Sequence, residues 1–381
     1  MAPLDTQTVA LEDALGRVLS AEVRALHPVP LFDNSAMDGY AVRAEDVAGS
    51  DPAHPVRLRV VANILAGSSA AAVVGRGEAV RIMTGAPIPP GADCVVPVES
   101  SWAGCFDDSP FVQLWASGRT NIRRTAEDIE QRTRLLAAGH TLGARDIGLL
   151  AATGQVAVTV HRRPRVAIVS TGDELRRSSD LPEGCIPDSN SLYLAAAARS
   201  VGAELSVSLV APDDRDGLED VLDRAAADAD LVISSGGLGA GSHDLVRQTI
   251  LSRSTADRPA RWASVDMKPG RPQAHGSWQG VPWIALPGNP TATFVSFETF
   301  VRPALDRLSG RKPAERGEPH LVSTGWSAPA GALRFVPLRL SAQHGDESVA
   351  PAASPKHAGH SIAAMFAAPL IGMVGADVEH V

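Results

Sequence analysis

Arg165–Glu174 reads RVAIVSTGDE: a β-branched run as long as one buried strand, then a polar loop with a glycine and two carboxylates. The same alternation continues to Leu308. An Ala-rich stretch over Ser191–Val201 reads as helix, and an alternating strand over Leu205–Val210 ends at APDDRD (Ala211–Asp216). Gly217–Ala227 is amphipathic, and a strand over Leu231–Ser234 runs into GGLGAGSHD (Gly236–Asp244). Leu245–Leu251 reads as helix, a further strand precedes MKPGRP (Met267–Pro272), Val281–Leu286 reads as a strand ending at PGNP (Pro287–Pro290), and Thr291–Leu308 as helix. Strand alternating with helix predicts a doubly wound, mostly parallel sheet covered on both faces. The special loops all follow strands, so they are expected along the one edge where open α/β sheets bind ligands.

The flanking sequence has another texture. The first 160 residues are rich in Gly, Pro and Val in short alternating runs such as Val56–Ile64 and Val156–Val160, which predict small β-rich domains. Within them Leu11, Leu15, Val18 and Leu19 fit one face of a helix. From Ser309 onward the chain again reads as β-rich, with a strand over Leu333–Leu340. The longest apolar stretch, Ile362–Ala376, is interrupted by Pro369, Gly372 and Gly375 and falls short of a membrane span, so it is expected as core of a small terminal domain. Met1–Val23 carries Asp5, Glu12, Asp13 and Glu22 with no basic start before an apolar run, unlike a signal peptide, and the expected location is the cytoplasm.

With 381 residues the chain exceeds what one core usually organises. It is 44% hydrophobic and 20% charged, with a net charge of −8, which argues against a general nucleic-acid binder but leaves room for a local basic pocket. Cys94, Cys105 and Cys185 lack zinc-ligand spacing and are expected as reduced thiols.

The loops carry chemistry of one kind. Gly236–Gly241 lets a phosphate approach the backbone, although it is neither a dinucleotide fingerprint nor a Walker A loop, and a plain strand-to-helix turn explains it equally well. In PGNP, Asn289 or Thr291 caps a helix whose positive end suits an anion; a rigid turn is the simpler reading. Asp173, Glu174 and Asp244 fit a Mg²⁺ held between carboxylates and phosphate, or else Glu174 caps a helix and Asp244 is solvated. Lys268 and Arg271 sit on a Pro-Gly turn and suit an oxoanion, or else decorate a surface turn.

Eight segments then occur in a telling order. DNSAMDGYAVR (Asp33–Arg43), RIMTGAPIPPGADCVVPVE (Arg81–Glu99), NIRRTAEDI (Asn121–Ile129), STGDEL (Ser170–Leu175), DSN (Asp188–Asn190), SSGG (Ser234–Gly237), MKPGRP and LPGNP (Leu286–Pro290) resemble the motifs of the molybdopterin molybdenumtransferase family, of the MoeA and gephyrin E-domain type. The resemblance runs from about residue 5 to 308. It implies a multidomain α/β plus β fold: residues 1–36 with 129–164 as a linking and dimerisation region, 37–128 as a β-rich small domain, 165–308 as the doubly wound pterin- and nucleotide-binding domain, and 309–381 as a shortened β-rich domain.

The implied reaction takes adenylylated molybdopterin and molybdate, cleaves the phosphoanhydride, releases AMP and places molybdenum on the dithiolene, with Mg²⁺. The implied assembly is a homodimer whose site lies between subunits. Molybdoenzymes or their chaperones are possible partners, and nucleic acid and membrane are not expected. Carried over by motif, the catalytic positions are Asp38, Thr84, Asp128, Glu174, Asp244 and Lys268, and the metal ligands are Asp173, Glu174 and Asp244. The substrate-binding positions are Ser170, Thr171, Gly172, Asp173, Ser234, Gly236, Gly237, Gly241, Pro269, Gly270, Arg271, Pro287, Gly288, Asn289 and Pro290.

This chain departs from the family pattern at several positions. Gly239 and Ala292 replace serines, Ala126 replaces the glycine of an RGED segment, and Ser242 or His243 stands where an acid often follows the loop. Two other readings therefore stand beside the transferase: a weakened paralogue that binds pterin or nucleotide or acts as a scaffold, and the related adenylyltransferase, which does not need the N-terminal motifs.

Overall fold

The computed structural model describes residues 1–69, 71–239, 244–312, 321–326, 331–343, 346–353, 361–378 and 381. Its central sheet has six strands in the order Glu204–Ala211, Arg165–Thr171, Leu231–Ser235, Val281–Leu286, Pro272–Trp278, Arg261–Ser264. The first four run parallel. Pro272–Trp278 runs antiparallel to Val281–Leu286, and Arg261–Ser264 runs antiparallel to it in turn. The reversal is made by Gln279 and Gly280, both with positive φ (46° and 90°), as a two-residue hairpin turn matched to strand twist requires.

Period-two alternation divides each buried strand between two cores. Ala167 and Val169 pack with Val232 and Ala285 under Leu218, Leu222, Val246 and Ile250 of the helices on one face. Val166, Ile168 and Ile233 pack under Leu194, Phe297, Val301 and Leu305 on the other. Helix starts are fixed by short polar side chains: Asp188 caps Ser189–Ser200, Asp214 caps Arg215–Ala226, and Asn289 caps Pro290–Ser296. The helix expected over 291–308 is one rod in three pieces, Pro290–Ser296, a π-helical turn at Phe297–Val301, and Arg302–Leu308. The wide turn sits just before Pro303, which has no N–H to give a regular helix.

Near the N-terminus a five-stranded sheet has the order Cys94–Pro97, Gly39–Val42, Glu78–Ile82, Val56–Ile64, Phe111–Leu114. Thr6–Ala10 pairs with Ala157–His161 over a separate core that includes Leu19, Leu142 and Leu150. The helix expected through Leu11–Leu19 is absent. After the strand comes a single 3-10 turn, Leu11–Asp13, and Gly16 adopts a left-handed backbone (φ 73°) that ends it. Leu15 is 58% exposed, whereas Val18 and Leu19 are buried through bridges to Thr141 and Val160. Toward the C-terminus Leu333–Gln343 pairs with Asp346–Pro351 and with Leu370–Val374. Met267–Lys268 adds alongside Leu333–Arg334, so the MKPG turn is shared between two sheets. The apolar stretch at 362–376 forms the helix Ile362–Ala367 and the strand Leu370–Val374, with Met365 buried against Met267, Val295 and Phe335. No helix among the described residues is long and apolar enough to cross a membrane.

Trp283 anchors the first of these cores. It is fully buried, stands edge-on to Trp278 and donates its indole N–H to Ser234 Oγ at 2.8 Å. Trp283→Ala is expected to destabilise this domain by about 3–5 kcal/mol, read as a lower urea midpoint with the secondary structure otherwise retained before the transition.

Candidate active site

The strand register brings the loops together. Thr171 lies beside Ala211, and the two following loops exchange hydrogen bonds: Asp173 N–H donates to Asp213 Oδ2 at 3.1 Å and Asp213 N–H to Asp173 Oδ1 at 3.3 Å. Asp173 and Glu174 are exposed at this edge. Gly172 is buried with φ 143°, and a Cβ there would run into the Glu174 carboxylate.

Glycine is demanded most strongly at the next strand end. Gly236 has φ 103°, donates to Leu286 O at 3.1 Å, and would place a Cβ 2.6 Å from Thr171 Oγ1. Gly288 would place one 3.3 Å from Gly236 Cα. Asn190 Nδ2 donates to Gly288 O at 2.8 Å. Four loops therefore meet: STGDE, the glycine turn, PGNP and DSN. Gly237 (φ 62°) continues the turn, while Gly241 lies outside the described residues. Asp244 Oδ1 accepts from Gly239 N at 2.8 Å. A Cβ at Gly239 would lie 2.9 Å from Asp244 Oδ2, so the glycine at this position gives the carboxylate room to fold onto its own loop.

In PGNP the cap is Asn289, whose Oδ1 accepts from Thr291 N at 3.0 Å and from Thr291 Oγ1 at 2.8 Å. Thr293 Oγ1 donates to Pro287 O at 2.7 Å. Pro287 is buried, Pro290 opens the helix, and Ala292 is 3% exposed. Lys268 and Arg271 are exposed on either side of the buried Pro269 and Gly270. Arg271 reaches Asp266 at 3.4 Å, and Gln273 Nε2 joins Gly270 O at 2.8 Å to Ser296 Oγ at 2.6 Å, tying this turn to the PGNP helix.

Two expected binding side chains turn out to be internal supports. Ser234 is fully buried as the acceptor for Trp283, and Ser170 is fully buried as a donor to Asp188 Oδ1 at 3.0 Å. Strand alternation points both into the sheet faces rather than off its end. Asp188 is the residue missing from the expected set. It is 2% exposed and also accepts from Ser191 N at 3.2 Å and Arg177 Nε at 3.1 Å. Its cap is visible in the sequence as Asp-Ser-Asn before an Ala-rich run, with the helix beginning at Ser189 and not at the expected Ser191.

A metal at this edge would meet carboxylate oxygens, the hard donors Mg²⁺ prefers. Among the described residues no three His, Cys, Asp or Glu side chains gather as a complete ligand group. The expected ligands Asp173, Glu174 and Asp244 therefore do not converge as one group, because Asp244 folds back onto the Gly239 N–H of its own loop.

The N-terminal motifs form a second loop cluster. Ser35 exchanges backbone hydrogen bonds with the Gly85–Ala86 turn, and Asn34–Ser35 pairs with Ile122–Arg123. Asp38 Oδ1 accepts from Thr84 N at 2.7 Å and Thr84 Oγ1 at 2.8 Å, which hold its carboxyl below the usual range. Asp128 is exposed, its N–H bonded to Val29 O. Among the described residues no hydrogen bond joins Asp38, Thr84 or Asp128 to Glu174 or Lys268.

Asp33, also missing from the expected set, accepts from Thr125 N at 2.8 Å, Arg124 at 2.7 Å and Thr125 Oγ1 at 2.9 Å. The Thr125 amide, then Arg124 and the Thr125 hydroxyl, lower its pKa to about 2. A carboxyl more acidic when folded stabilises the fold above the unfolded value near 4, and that contribution is lost as pH falls toward 2. Asp33→Asn should flatten the stability profile between about pH 4 and 2. Arg124→Ala should raise the Asp33 carboxyl pKa, followed by its carbon chemical shift.

The N-terminal 154 residues match the family description "MoeA N-terminal region (domain I and II)", and residues 167–307 match "Probable molybdopterin binding domain". The chain is 41% identical over 344 residues to "Molybdopterin molybdenumtransferase 2" of Mycobacterium tuberculosis, covering 89% of this chain and 84% of that one. It is 35% identical over 345 residues to the "Molybdopterin molybdenumtransferase" of Bacillus subtilis, covering 90% and 80%. The fold superposes on a molybdopterin biosynthesis MoeA protein crystal structure from Pyrococcus horikosii with a TM-score of 0.81 at 28% identity, over 100% of this chain and 92% of that one. Motif order, loop geometry and these likenesses agree: the chain belongs to the molybdopterin molybdenumtransferase family.

Proposed function

We propose that this protein takes adenylylated molybdopterin and molybdate, cleaves the phosphoanhydride with release of AMP, and leaves molybdenum on the dithiolene. The observation that carries the reading is the meeting of STGDE, the glycine turn, PGNP and DSN at one strand edge, in a chain 41% identical over 89% of its length to a relative bearing that name.

The chemistry needs charge neutralised on a phosphoanhydride and on molybdate. The Gly236–Gly237 turn, close-packed on Thr171 and Val246, ends its strand without side chains, and Lys268 and Arg271 supply positive charge for phosphate from the neighbouring turn. Asp173, Glu174 and Asp244 do not gather as one group, so Mg²⁺ would take single carboxylates from among them, be completed by phosphate and water, and offset the negative charge developing on the leaving phosphate. The Thr291 and Thr293 hydroxyls and the Thr291 N–H are committed inside the PGNP loop, Pro290 has no N–H, and position 292, where the family has serine, adds no hydroxyl.

Asp38, held by Thr84, and Asp128 complete the site from a second subunit in this reading. Residues 1–36 with 129–164 form the linking region, 37–128 the small domain, 165–308 the nucleotide-binding domain, and 309–381 the terminal domain.

The direct test follows AMP release from adenylylated molybdopterin with and without molybdate; AMP release indifferent to molybdate overturns the reading. Asp244→Asn should slow AMP release about a hundred-fold while changing pterin binding much less, since a cation-holding acid acts where charge develops. Equal losses in both would remove Asp244 from the chemistry. For the dimer, mixing inactive Asp38→Asn and Asp244→Asn proteins after subunit exchange should restore up to about a quarter of wild-type activity, because half the dimers then carry one intact shared site. No recovery would place both residues in a single subunit's site.

A further inference from the structure

The strand starts carry a second concavity, remote from the crevice. Arg165 and Glu204 are the paired first residues of neighbouring strands, about 20 Å along the sheet from Thr171. Beside them opens a cleft of about 750 Å³, a volume that suits a small metabolite. One wall is the end of the Ser189–Ser200 helix with Arg199, another is Arg163, and a third is Arg311 against Gly16 and Thr141. A narrow recess between Arg163 and Arg311 continues inward to Arg17.

Arg163, Arg199 and Arg311 therefore line the cleft, and Arg17 lines the recess beside it together with Arg162, whose charge is taken up by Asp230. Arg311 is fixed, donating to Thr141 Oγ1 at 3.0 Å and Asp306 Oδ1 at 3.0 Å. The Arg163 and Arg199 side chains have no hydrogen bond or ion pair among the described residues, although their backbone carbonyls accept from Arg162 and Gly202. Arg17 is 8% exposed; one of its terminal nitrogens donates to His161 O at 3.0 Å, and its Nε is buried without a partner. Burial, and then the like charge of Arg163, push its pKa down, and Glu204 offsets this in part. Against the four cations stand Glu204, Asp306 and the helix end, which adds about half a negative charge. The balance is positive, and a buried guanidinium beside another cation is costly unless an anion joins them.

We propose that this cleft is a second ligand site, which takes a phosphorylated small molecule of at least two negative charges on the forks of Arg163 and Arg199, with Arg17 behind them. Arginine pairs with phosphate through two parallel N–H groups, a geometry lysine does not reproduce. The site is independent of the reaction at the opposite sheet edge.

Inorganic pyrophosphate, titrated calorimetrically into the full chain, is the probe. Because the crevice also takes phosphate, two variants separate the sites. The pair Arg163→Ala with Arg199→Ala should weaken one binding event by about ten-fold or more, and Lys268→Gln should leave that same event unchanged. Arg163→Lys with Arg199→Lys should fall between, retaining charge without the fork. In the wild-type protein, pyrophosphate should slow amide exchange around residues 14–18 and 196–206, a readout that does not depend on any variant folding. Molybdate-dependent AMP release should persist in the alanine pair, so failure here is distinguishable from failure of the proposed reaction. The proposal is overturned if every pyrophosphate binding event survives the alanine pair unchanged, or if those segments gain no protection at saturation.

Discussion

The crevice rests on one close approach: Gly288 against Gly236, and Gly236 against Thr171. Parallel pairing of Leu231–Ser235 with both neighbours sets these three strand ends level, and it is the lack of side chains that lets their loops touch. A single Cβ at position 236 would meet the Thr171 hydroxyl at 2.6 Å and part the loops. With the loops joined, the exposed acids of STGDE and the exposed turn of PGNP lie along the same strand edge. Asn190, hydrogen bonded to the Gly288 carbonyl, fastens the DSN helix to the same point.

Around that contact, polar groups divide by burial. Asp188, Ser170 and Ser234 are enclosed and fully engaged, as buried polar groups must be if they are not to destabilise the fold. They hold the strand ends in place. Asp173, Glu174, Lys268 and Arg271 are exposed at the same edge, where they retain hydration until a charged substrate replaces it. In the N-terminal cluster both acids are accessible: half-buried Asp33 fastens the loop that carries Arg124 and Thr125, and the exposed Asp38 carboxylate is held by Thr84.

The doubly wound domain was legible because its signals are local. The run VAIVS alternates between two faces, three of the helices begin at a short polar cap, and the special loops fall where strands stop. The same local logic misled at Leu11–Leu19, where the spacing of Leu11, Leu15, Val18 and Leu19 mimics a helix, but pairing of Thr6–Ala10 with a strand some 150 residues away decides the backbone. The buried, supporting positions of Ser170 and Ser234 are illegible in the sequence for a related reason. A serine at a strand end points to the crevice or to a sheet face depending on register and on which large side chain lies beneath it, here Trp283 for Ser234. The role of Asp188 needed the third dimension outright, since Ser170, Arg177 and Ser191 meet it from three separate segments.

The departures from the family pattern become intelligible as local exchanges. Where the family has glycine in RGED, Ala126 holds φ 64°, a backbone that costs an alanine about 1 kcal/mol relative to glycine. That strained turn is pinned from both sides, by Ala126 N–H to Pro30 O at 3.0 Å and by Asp33 through Arg124 and Thr125. The low pKa of Asp33 measures how firmly the pin holds its charge. The opposite exchange occurs at Gly239, where a missing side chain frees space that the Asp244 carboxylate takes up by accepting the Gly239 N–H. One loop gains a Cβ and is held by an ion pair, while the other loses one and is held by its own acid. In the first the positioning carboxylate, Asp33, lies a few residues from Asp38; in the second it is Asp244 itself, an acid proposed for the chemistry, so backbone conformation and charge placement are coupled in both loops.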